Sequence, residues 1–387
     1  MASVTSFETD MRKLRRKRRS RKVLRDVIIA GVILLLILTV YFTRDLWIGH
    51  FEGIFQRNNS GYYSGDQSYL DISGKNNVIV NSSDRFLTIY SDTTLATYNV
   101  NGGRILSITA AYSNPAIEAS GTRALIYDLG GSDMCVVGTK EEIFSRKLND
   151  QILFAVLGEN GNVAVVTSSE RYKSFLTIYD KNGYEIFRWA DGNLITAVAL
   201  DKDGKGCLAA TVYANGGMFN TVVSKLDFSK TEVVSTTEPL NTFTIDLKYA
   251  KDGGAWLIGD QSLTRLGSDN TVKYTYLYKY RLSGYSADKD VCALTFNGVS
   301  ENKSYVSVFS QDKESVTELS FENDICCVKA HNGKVYLASS KSFYGLNSNG
   351  TSLGEIELSE SCKNFTILQD YVYFQGIRSI SMEKLDF

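Results

Sequence analysis

A turn signal recurs about every 40 residues through most of this chain, and no other feature constrains the fold as strongly. In each copy, an apolar run of strand-forming residues leads into a turn containing Asp, Asn or Gly, and a second apolar run follows. Such turns between strand-like runs are the strongest local signal for a β-hairpin. The turn residues of successive copies are Asp84, Gly121, Gly161, Gly204, Gly253, Asp290, Gly333 and Asp370.

This repeat predicts an all-β protein of the β-propeller class, because a propeller blade of four strands occupies about 40 residues. A second turn follows the first in many copies, at 127–130, 179–183 and 346–350, as a second hairpin in each blade requires. We count eight blades, with seven as the alternative because the first and last copies are the weakest. A pair of packed sheets is the alternative fold, but it does not explain the repeat.

The last copy, 365–387, is one strand short of a four-stranded blade. The strand-like residues 68–72, at the start of the repeat region, could supply the missing strand and close the ring. Closure is physically favoured because it removes an exposed sheet edge. This arrangement, in a WD40-like propeller, would bring both ends of the domain into one blade.

An uncharged run at 27–43 precedes the repeats, and its length is near the lower limit of about 17 residues for a bilayer span. Beyond Arg44 and Asp45, the apolar Leu46, Trp47 and Ile48 extend it, so we predict one transmembrane helix over 27–48. A cleaved signal peptide is the alternative. Its apolar core is normally shorter and ends in small residues, and this run does neither, which favours an uncleaved signal anchor.

A strongly basic segment lies directly before this run. By the positive-inside rule it places the N-terminus in the cytoplasm and the repeats outside, as a single-pass protein of the cell membrane. Such a segment also attracts anionic lipid. We predict no nucleic-acid partner, because the rest of the chain is acidic. The basic residues are Arg12, Lys13, Arg15, Arg16, Lys17, Arg18, Arg19, Arg21 and Lys22.

These features divide the chain into four segments. A basic cytoplasmic tail covers 1–26, the transmembrane helix 27–48, a polar linker 49–66 and the extracytoplasmic propeller 67–387. The linker is rich in Gly, Asn and Ser, which is typical of a flexible connection.

The sequence shows no motif that identifies an active site, so we predict no catalytic residue, no metal ligand and no cofactor. Residues 350–354 match the GxSxG pattern of serine hydrolases, but no His follows Ser352 and the flanks read as strands. Residues 201–206 resemble part of a calcium loop, yet Lys205 stands where an oxygen ligand is needed. The chain is therefore predicted not to be an enzyme.

One strand carries a regular stripe of four tyrosines, Tyr274, Tyr276, Tyr278 and Tyr280. Because side chains alternate along a strand, all four point to the same side. They could form an aromatic seam packed between two blades. They could instead form an exposed platform that binds a peptide or sugar rings, and on this second interpretation they are candidate partner-binding residues.

The six cysteines allow two interpretations. Most lie in apolar runs, which is typical of buried, unpaired thiols. In an oxidising compartment one disulfide could form, from Cys362 to Cys326 or Cys327.

The layout, with repeats such as the segment 176–183, resembles an uncharacterised family of single-pass membrane-anchored β-propeller-like proteins of clostridial-type Gram-positive bacteria. The resemblance covers nearly the whole chain. It implies a location and a fold, and it implies no activity.

Three functions are compatible with these features. The first is a membrane-tethered propeller that binds a protein, a peptide or cell-wall glycan outside the cell. The second is a hydrolase of envelope polysaccharide that uses two carboxylates about 5–10 Å apart at the channel mouth. The third is a structural component of an envelope complex, which an exposed apolar patch on one face of the disc would favour.

Overall fold

The computed structural model describes residues 69–238, 240–298, 303–311 and 316–387. Throughout these ranges every regular element is a β-strand, and the strands form eight antiparallel sheets of four strands each. The predicted all-β propeller with eight blades is confirmed, and the seven-blade alternative is wrong. The basic tail, the transmembrane helix and the linker lie outside the described residues, so those divisions stay predictions. Among the described residues, no helix has the length and hydrophobicity that crossing a membrane requires.

The first strand, β1 (Tyr69–Asp71), belongs to the last blade, and blades are numbered here from the strand that follows it. Counted from the central channel outward, the first four blades contain β2 (Ile79–Ser82), β3 (Leu87–Ser91), β4 (Thr94–Tyr98) and β5 (Arg104–Thr109); β6 (Pro115–Ser120), β7 (Arg123–Asp128), β8 (Asp133–Val137) and β9 (Glu142–Lys147); β10 (Ile152–Leu157), β11 (Val163–Ser168), β12 (Ser174–Tyr179) and β13 (Glu185–Asp191); and β14 (Leu194–Leu200), β15 (Gly206–Asn215), β16 (Met218–Asp227) and β17 (Ser235–Thr236).

The other four blades repeat this order. They contain β18 (Thr244–Tyr249), β19 (Ala255–Gly259), β20 (Ser262–Leu266) and β21 (Val272–Leu277); β22 (Arg281–Ala287), β23 (Val291–Asn297), β24 (Ser304–Ser310) and β25 (Val316–Phe321); β26 (Ile325–His331), β27 (Lys334–Ser339), β28 (Ser342–Leu346) and β29 (Ser352–Glu357); and β30 (Asn364–Leu368), β31 (Tyr371–Gln375), β32 (Ser379–Lys384) and β1.

The last blade is completed from the start of the domain, as predicted. Strand β1 pairs antiparallel with β32, and Leu70 lies opposite Ile380. The blade therefore has three strands from one end of the described chain and one from the other. This pairing covers the edge that β32 would otherwise expose.

Apolar packing between blades closes the same ring. Eight clusters of buried hydrophobic residues are present among the described residues, and each draws on two consecutive blades. The cluster between the last and first blades, for example, contains Leu368 and Val80. Each blade thus buries apolar side chains against a neighbour on both of its faces. An isolated four-stranded sheet has no such packing and would be less stable.

The eight repeat turns all join the first and second strands of a blade, so they lie at one end of the channel. Gly121 shows why glycine is needed there. Its φ of 55° is a left-handed conformation, and an added Cβ would lie 2.8 Å from the carbonyl oxygen of Glu159 in the next blade.

The second turns are less uniform than the sequence suggests. Those at 179–183 and 346–350 join the third and fourth strands of their blades, whereas the turn at 127–130 joins the second and third. The prediction for that copy is wrong in its position. Composition alone does not distinguish the two hairpins, because both use the same turn residues.

Candidate functional site

The repeat turns surround one mouth of the channel, where a cavity of about 510 Å³ opens. Every blade contributes to its lining, through the last residues of its first strand or the turn that follows. This volume lies within the usual range of about 300–1,000 Å³ for small-ligand pockets.

Hydrogen bonds between consecutive turns hold the rim of the mouth together. The backbone N–H of Asp84 donates to the carbonyl of Gly121 at 2.9 Å, and that of Gly333 donates to Oδ2 of Asp288 at 2.7 Å. The carboxylate groups of the rim are thereby carried on turns that are tied to their neighbours, which favours a preorganised site.

An ion pair crosses the mouth. The Nζ of Lys289, in the β22–β23 turn, lies 2.6 Å from Oε2 of Glu159, in the β10–β11 turn. These turns belong to the sixth and third blades, so the lysine reaches over the cavity. The Lys289 and Glu159 side chains are 41% and 45% exposed, and a pair so exposed contributes little to stability.

Two further carboxylates at the mouth are already engaged. Asp288 accepts hydrogen bonds from the backbone N–H groups of Asp290 and Val291, both at 2.8 Å. Asp290 accepts one from Nζ of Lys251 at 3.2 Å.

Asp84 differs from these carboxylates. Within the described ranges, no group donates a hydrogen bond to its side chain. The Asp84 side chain is exposed at the mouth, but partial burial of its carboxylate by the surrounding turns still raises its pKa, and the nearby Glu159 adds to this effect. Burial also lowers the pKa of His331, against the influence of Asp84 and Asp288, so this imidazole is neutral near pH 7.

A second group of charges lies on the inner wall. Glu118 (β6) and Lys248 (β18) line the cavity, and Nζ of Lys248 lies 3.6 Å from Oδ2 of Asp246. The Glu118 side chain is half-buried, and burial of its carboxylate raises its pKa. Burial likewise lowers the pKa of Lys329 (β26). Neither Glu118 nor Lys329 has an ion-pair partner within 4 Å among the described residues.

The tyrosine stripe lies elsewhere, between the fifth and sixth blades. The prediction that one strand carries all four is wrong, because β21 ends at Leu277 and Tyr278 and Tyr280 lie in the connection to β22. All four rings are half-buried and pack against the cluster formed by these blades. The ring of Tyr280 stacks on Tyr305, with centroids 4.4 Å apart and planes 5° apart. The hydroxyl of Tyr276 donates to Glu318 at 2.8 Å. The stripe is therefore an aromatic seam, while contact of a partner with Tyr274, Tyr276, Tyr278 and Tyr280 stays a prediction that this geometry does not test.

All six cysteines are free thiols, and burial raises the pKa of each. Cys326 is exposed, and its thiol donates to the carbonyl of Cys362 at 3.3 Å. Across the described ranges, no group of three His, Cys, Asp or Glu side chains is arranged to hold a metal ion.

A hairpin tip at the opposite end of the channel exposes two apolar side chains. Met218 is 60% exposed and Phe219 is 55% exposed, and the ring of Phe219 contacts Phe243 with centroids 5.4 Å apart. Nothing among the described residues covers this tip.

The residues of the mouth were not predicted as a site. Asp84, Gly121 and Asp290 marked the repeat in the sequence, and all three line the cavity. A partial signal was therefore present, because equivalent turns of a propeller meet at one end of the channel. The basic residues predicted at the membrane, Arg12 to Lys22, lie outside the described residues.

Fold and site together define an eight-bladed β-propeller with a charged cavity at one mouth. The chain belongs to the family of unknown function DUF5711, which matches residues 58–385. No curated protein matches this chain in sequence.

Solved structures share the fold at low sequence identity. BamB from Moraxella catarrhalis has 13% identity and a TM-score of 0.55, covering 83% of this chain and 97% of its own. Saccharomyces cerevisiae Sqt1 has 9% identity and a TM-score of 0.60, covering 82% of this chain and 98% of its own. Kuenenia stuttgartiensis hydrazine synthase has 12% identity and a TM-score of 0.49, covering 68% and 92% respectively, which is too distant to carry an argument. At these identities, the likeness shows the fold alone.

Proposed function

We propose that this protein is a membrane-tethered binding scaffold that recognises a protein, peptide or cell-wall glycan outside the cytoplasm. One observation carries the proposal. The mouth combines a cavity of about 510 Å³ with two acidic side chains, the exposed Asp84 and the half-buried Glu118, that have no ion-pair partner among the described residues. The protein leaves both carboxylates without a partner, on a rim whose turns are tied together by hydrogen bonds, so the site suits a ligand that supplies the partners.

The tether rests on the sequence of 27–48 and on the basic residues before it. Its test is protease treatment of intact spheroplasts that express the full chain with a tag at each end. The proposal expects loss of the C-terminal tag and protection of the N-terminal tag. Protection of both tags would contradict it.

Binding at the mouth is tested by capture with the full chain, purified in detergent micelles. Solubilised membrane proteins and isolated cell-wall glycan are offered separately. The variant Ser120→Trp places a large ring in the cavity lining, and Leu129→Trp places the same ring in the β7–β8 turn at the other end of the channel. The proposal expects capture by the native chain and by Leu129→Trp, and loss with Ser120→Trp. Equal capture by both variants would exclude the mouth.

A hydrolase of envelope polysaccharide is the second candidate, favoured by one observation. A glycosidase needs a carboxylic acid with a raised pKa beside a second carboxylate, and Asp84 with its neighbour Glu159 has this form. The pairing of Glu159 with Lys289 weakens the case, since it occupies the second carboxylate. Release of reducing sugar from isolated wall, abolished by Asp84→Asn, would support the hydrolase over the scaffold.

A further inference from the structure

The charged groups that line the cavity are unequal in number. Five carboxylates contribute to the lining, against three lysines and a His331 whose pKa is lowered. The lining therefore carries more acidic than basic side chains, and where these acids are ionised the cavity concentrates cations in preference to anions. The carboxylates are Asp84, Glu118, Glu159, Asp288 and Asp290, and the lysines are Lys202, Lys248 and Lys289.

Lys289 shows that an alkylammonium group fits this space. Its side chain crosses the mouth and brings Nζ to 2.6 Å from Glu159. Both groups remain partly exposed, so water screens the pair and another cation can displace it. Lys289 therefore competes with any external cation for Glu159.

Asp84 and Glu118 remain available to bind a cation, because Lys289 pairs with Glu159 and not with them. Neither carboxylate has a hydrogen-bond or ion-pair partner within the described ranges. The charge of Glu159 also repels that of Asp84 and raises the Asp84 pKa. A cation between Asp84 and Glu159 relieves this repulsion and can donate hydrogen bonds to both carboxylates. The apolar lining residues Val198 and Leu200 give the same cavity a surface for methylene groups.

We propose that the mouth receives a lysine or arginine side chain from a partner polypeptide, with its cationic head on Asp84 and Glu159. The methylene stem packs against Val198 and Leu200, and Lys289 leaves Glu159 as the partner enters. This inference rests on the proposed function, because it specifies the chemistry by which the scaffold recognises a polypeptide at the mouth.

The test uses two short peptides that differ in one side chain, acetyl-Gly-Lys-Gly-amide and acetyl-Gly-Gln-Gly-amide. Each is titrated into the full chain in detergent micelles, and binding is followed by saturation-transfer NMR. The lysine peptide is expected to bind at least about tenfold more tightly than the glutamine peptide, and the difference should shrink as salt is added. Equal binding of the two peptides would overturn the proposal.

Substitutions in the cavity should change the affinity for the lysine peptide in opposite directions. Asp84→Asn should weaken binding of the lysine peptide, because it removes one of the two carboxylates that hold the cationic head. Lys289→Ala should strengthen it by removing the internal competitor. Lys173→Ala is the matched control, since it removes the same charge from an exposed loop between β11 and β12. Equal affinity of Lys289→Ala and Lys173→Ala would overturn the role given to Lys289.

The two proposals fail in different ways. If Ser120→Trp abolishes capture of a native partner while the lysine peptide does not bind, the mouth is a binding site and the cation chemistry is wrong. If Ser120→Trp leaves capture intact, the proposed function itself is wrong.

Discussion

Asp252 illustrates how one carboxylate organises its surroundings in the fifth blade. It accepts hydrogen bonds from Nη2 of Arg265 at 2.5 Å and from Nζ of Lys273 at 2.9 Å. The Arg265 side chain is only 3% exposed, and its guanidinium lies over the ring of Trp256, 4.7 Å from the centroid. A buried guanidinium needs such a partner, since an unpaired one is strongly unfavourable.

The pKa of Asp252 predicts acid sensitivity. Burial alone would raise this pKa, but hydrogen bonds from Lys273, Gly254 and Arg265 outweigh burial and lower it to about 2. The contribution to stability is therefore complete above the unfolded pKa of about 4 and is lost as the pH falls toward 2. We expect Asp252→Asn to lower the free energy of unfolding at pH 7 by about 1–2 kcal/mol.

Urea denaturation at several pH values checks this prediction. The variant should also lose less stability than the native chain between about pH 4 and pH 2. Parallel curves for the two chains over that interval would contradict it.

Asp84 predicts the opposite behaviour. The pKa of Asp84 is raised, chiefly by burial and further by Glu159, against His331, Arg85 and Lys289. The ionised carboxylate is therefore unfavourable to the fold at neutral pH, and because the side chain is exposed, water screens the effect and keeps it small. This deficit disappears as the pH falls through the raised pKa toward the unfolded value. We expect Asp84→Asn to raise the melting temperature at pH 7 slightly, with convergence of the two chains near pH 3–4.

The matched control for this experiment is Asp203→Asn in an exposed turn, which should leave the melting temperature unchanged. A lower melting temperature for Asp84→Asn at pH 7 would show that the carboxylate is a structural group. A raised melting temperature together with weaker binding is the expected signature of a residue kept for function.

At the scale of elements, the hairpins follow from local sequence and the contacts between them do not. Asp or Gly at each repeat turn, between strand-forming runs, was enough to predict the first hairpin of every blade. The mouth was not predictable in the same way, since Glu159 and Lys289 are far apart in the chain and meet only through the curvature of the ring. The tyrosine stripe was visible in the sequence, but its choice between seam and platform depends on where Phe309 and Tyr305 lie.

The seam between the fifth and sixth blades should contribute to stability. We expect Tyr280→Ala to lower the free energy of unfolding by about 1–2 kcal/mol, because it removes the stacked contact with Tyr305 and buried area. Chemical denaturation checks the value, with Tyr280→Phe as the control that keeps the ring. Unchanged stability, combined with loss of partner capture, would instead favour the exposed platform.

The closing strand β1 is another element whose role can be measured. Leu70→Pro removes a backbone donor and the contacts of Leu70 with the cluster that contains Ile380. We expect a lower melting temperature and self-association by size-exclusion chromatography, since β32 becomes an exposed edge. Leu70→Val, which keeps a strand-forming apolar residue, should behave like the native chain, and a stable monomer for Leu70→Pro would contradict this role for β1.

For the whole molecule, the repeat period was the decisive signal. It predicted eight blades and the use of 68–72 to complete the last one. Pairing the first strand with the last blade leaves no sheet edge exposed at the point where the ring closes. Function was not predictable to the same depth. The charges of the mouth come from turns whose composition is ordinary for hairpins, and only their convergence on one cavity distinguishes them.

Closure by β1 also determines how the ring responds to mechanical load. The strand is held to β32 by three residue pairs, Tyr69 with Ser381, Leu70 with Ile380 and Asp71 with Ser379. Tension applied to the chain before Tyr69 reaches the ring through these pairs first. The other seven blades are each built from one continuous segment and lie outside this direct line of force. We therefore expect the eighth blade to open first when the chain is pulled from the side that precedes Tyr69, at a force set by these three residue pairs.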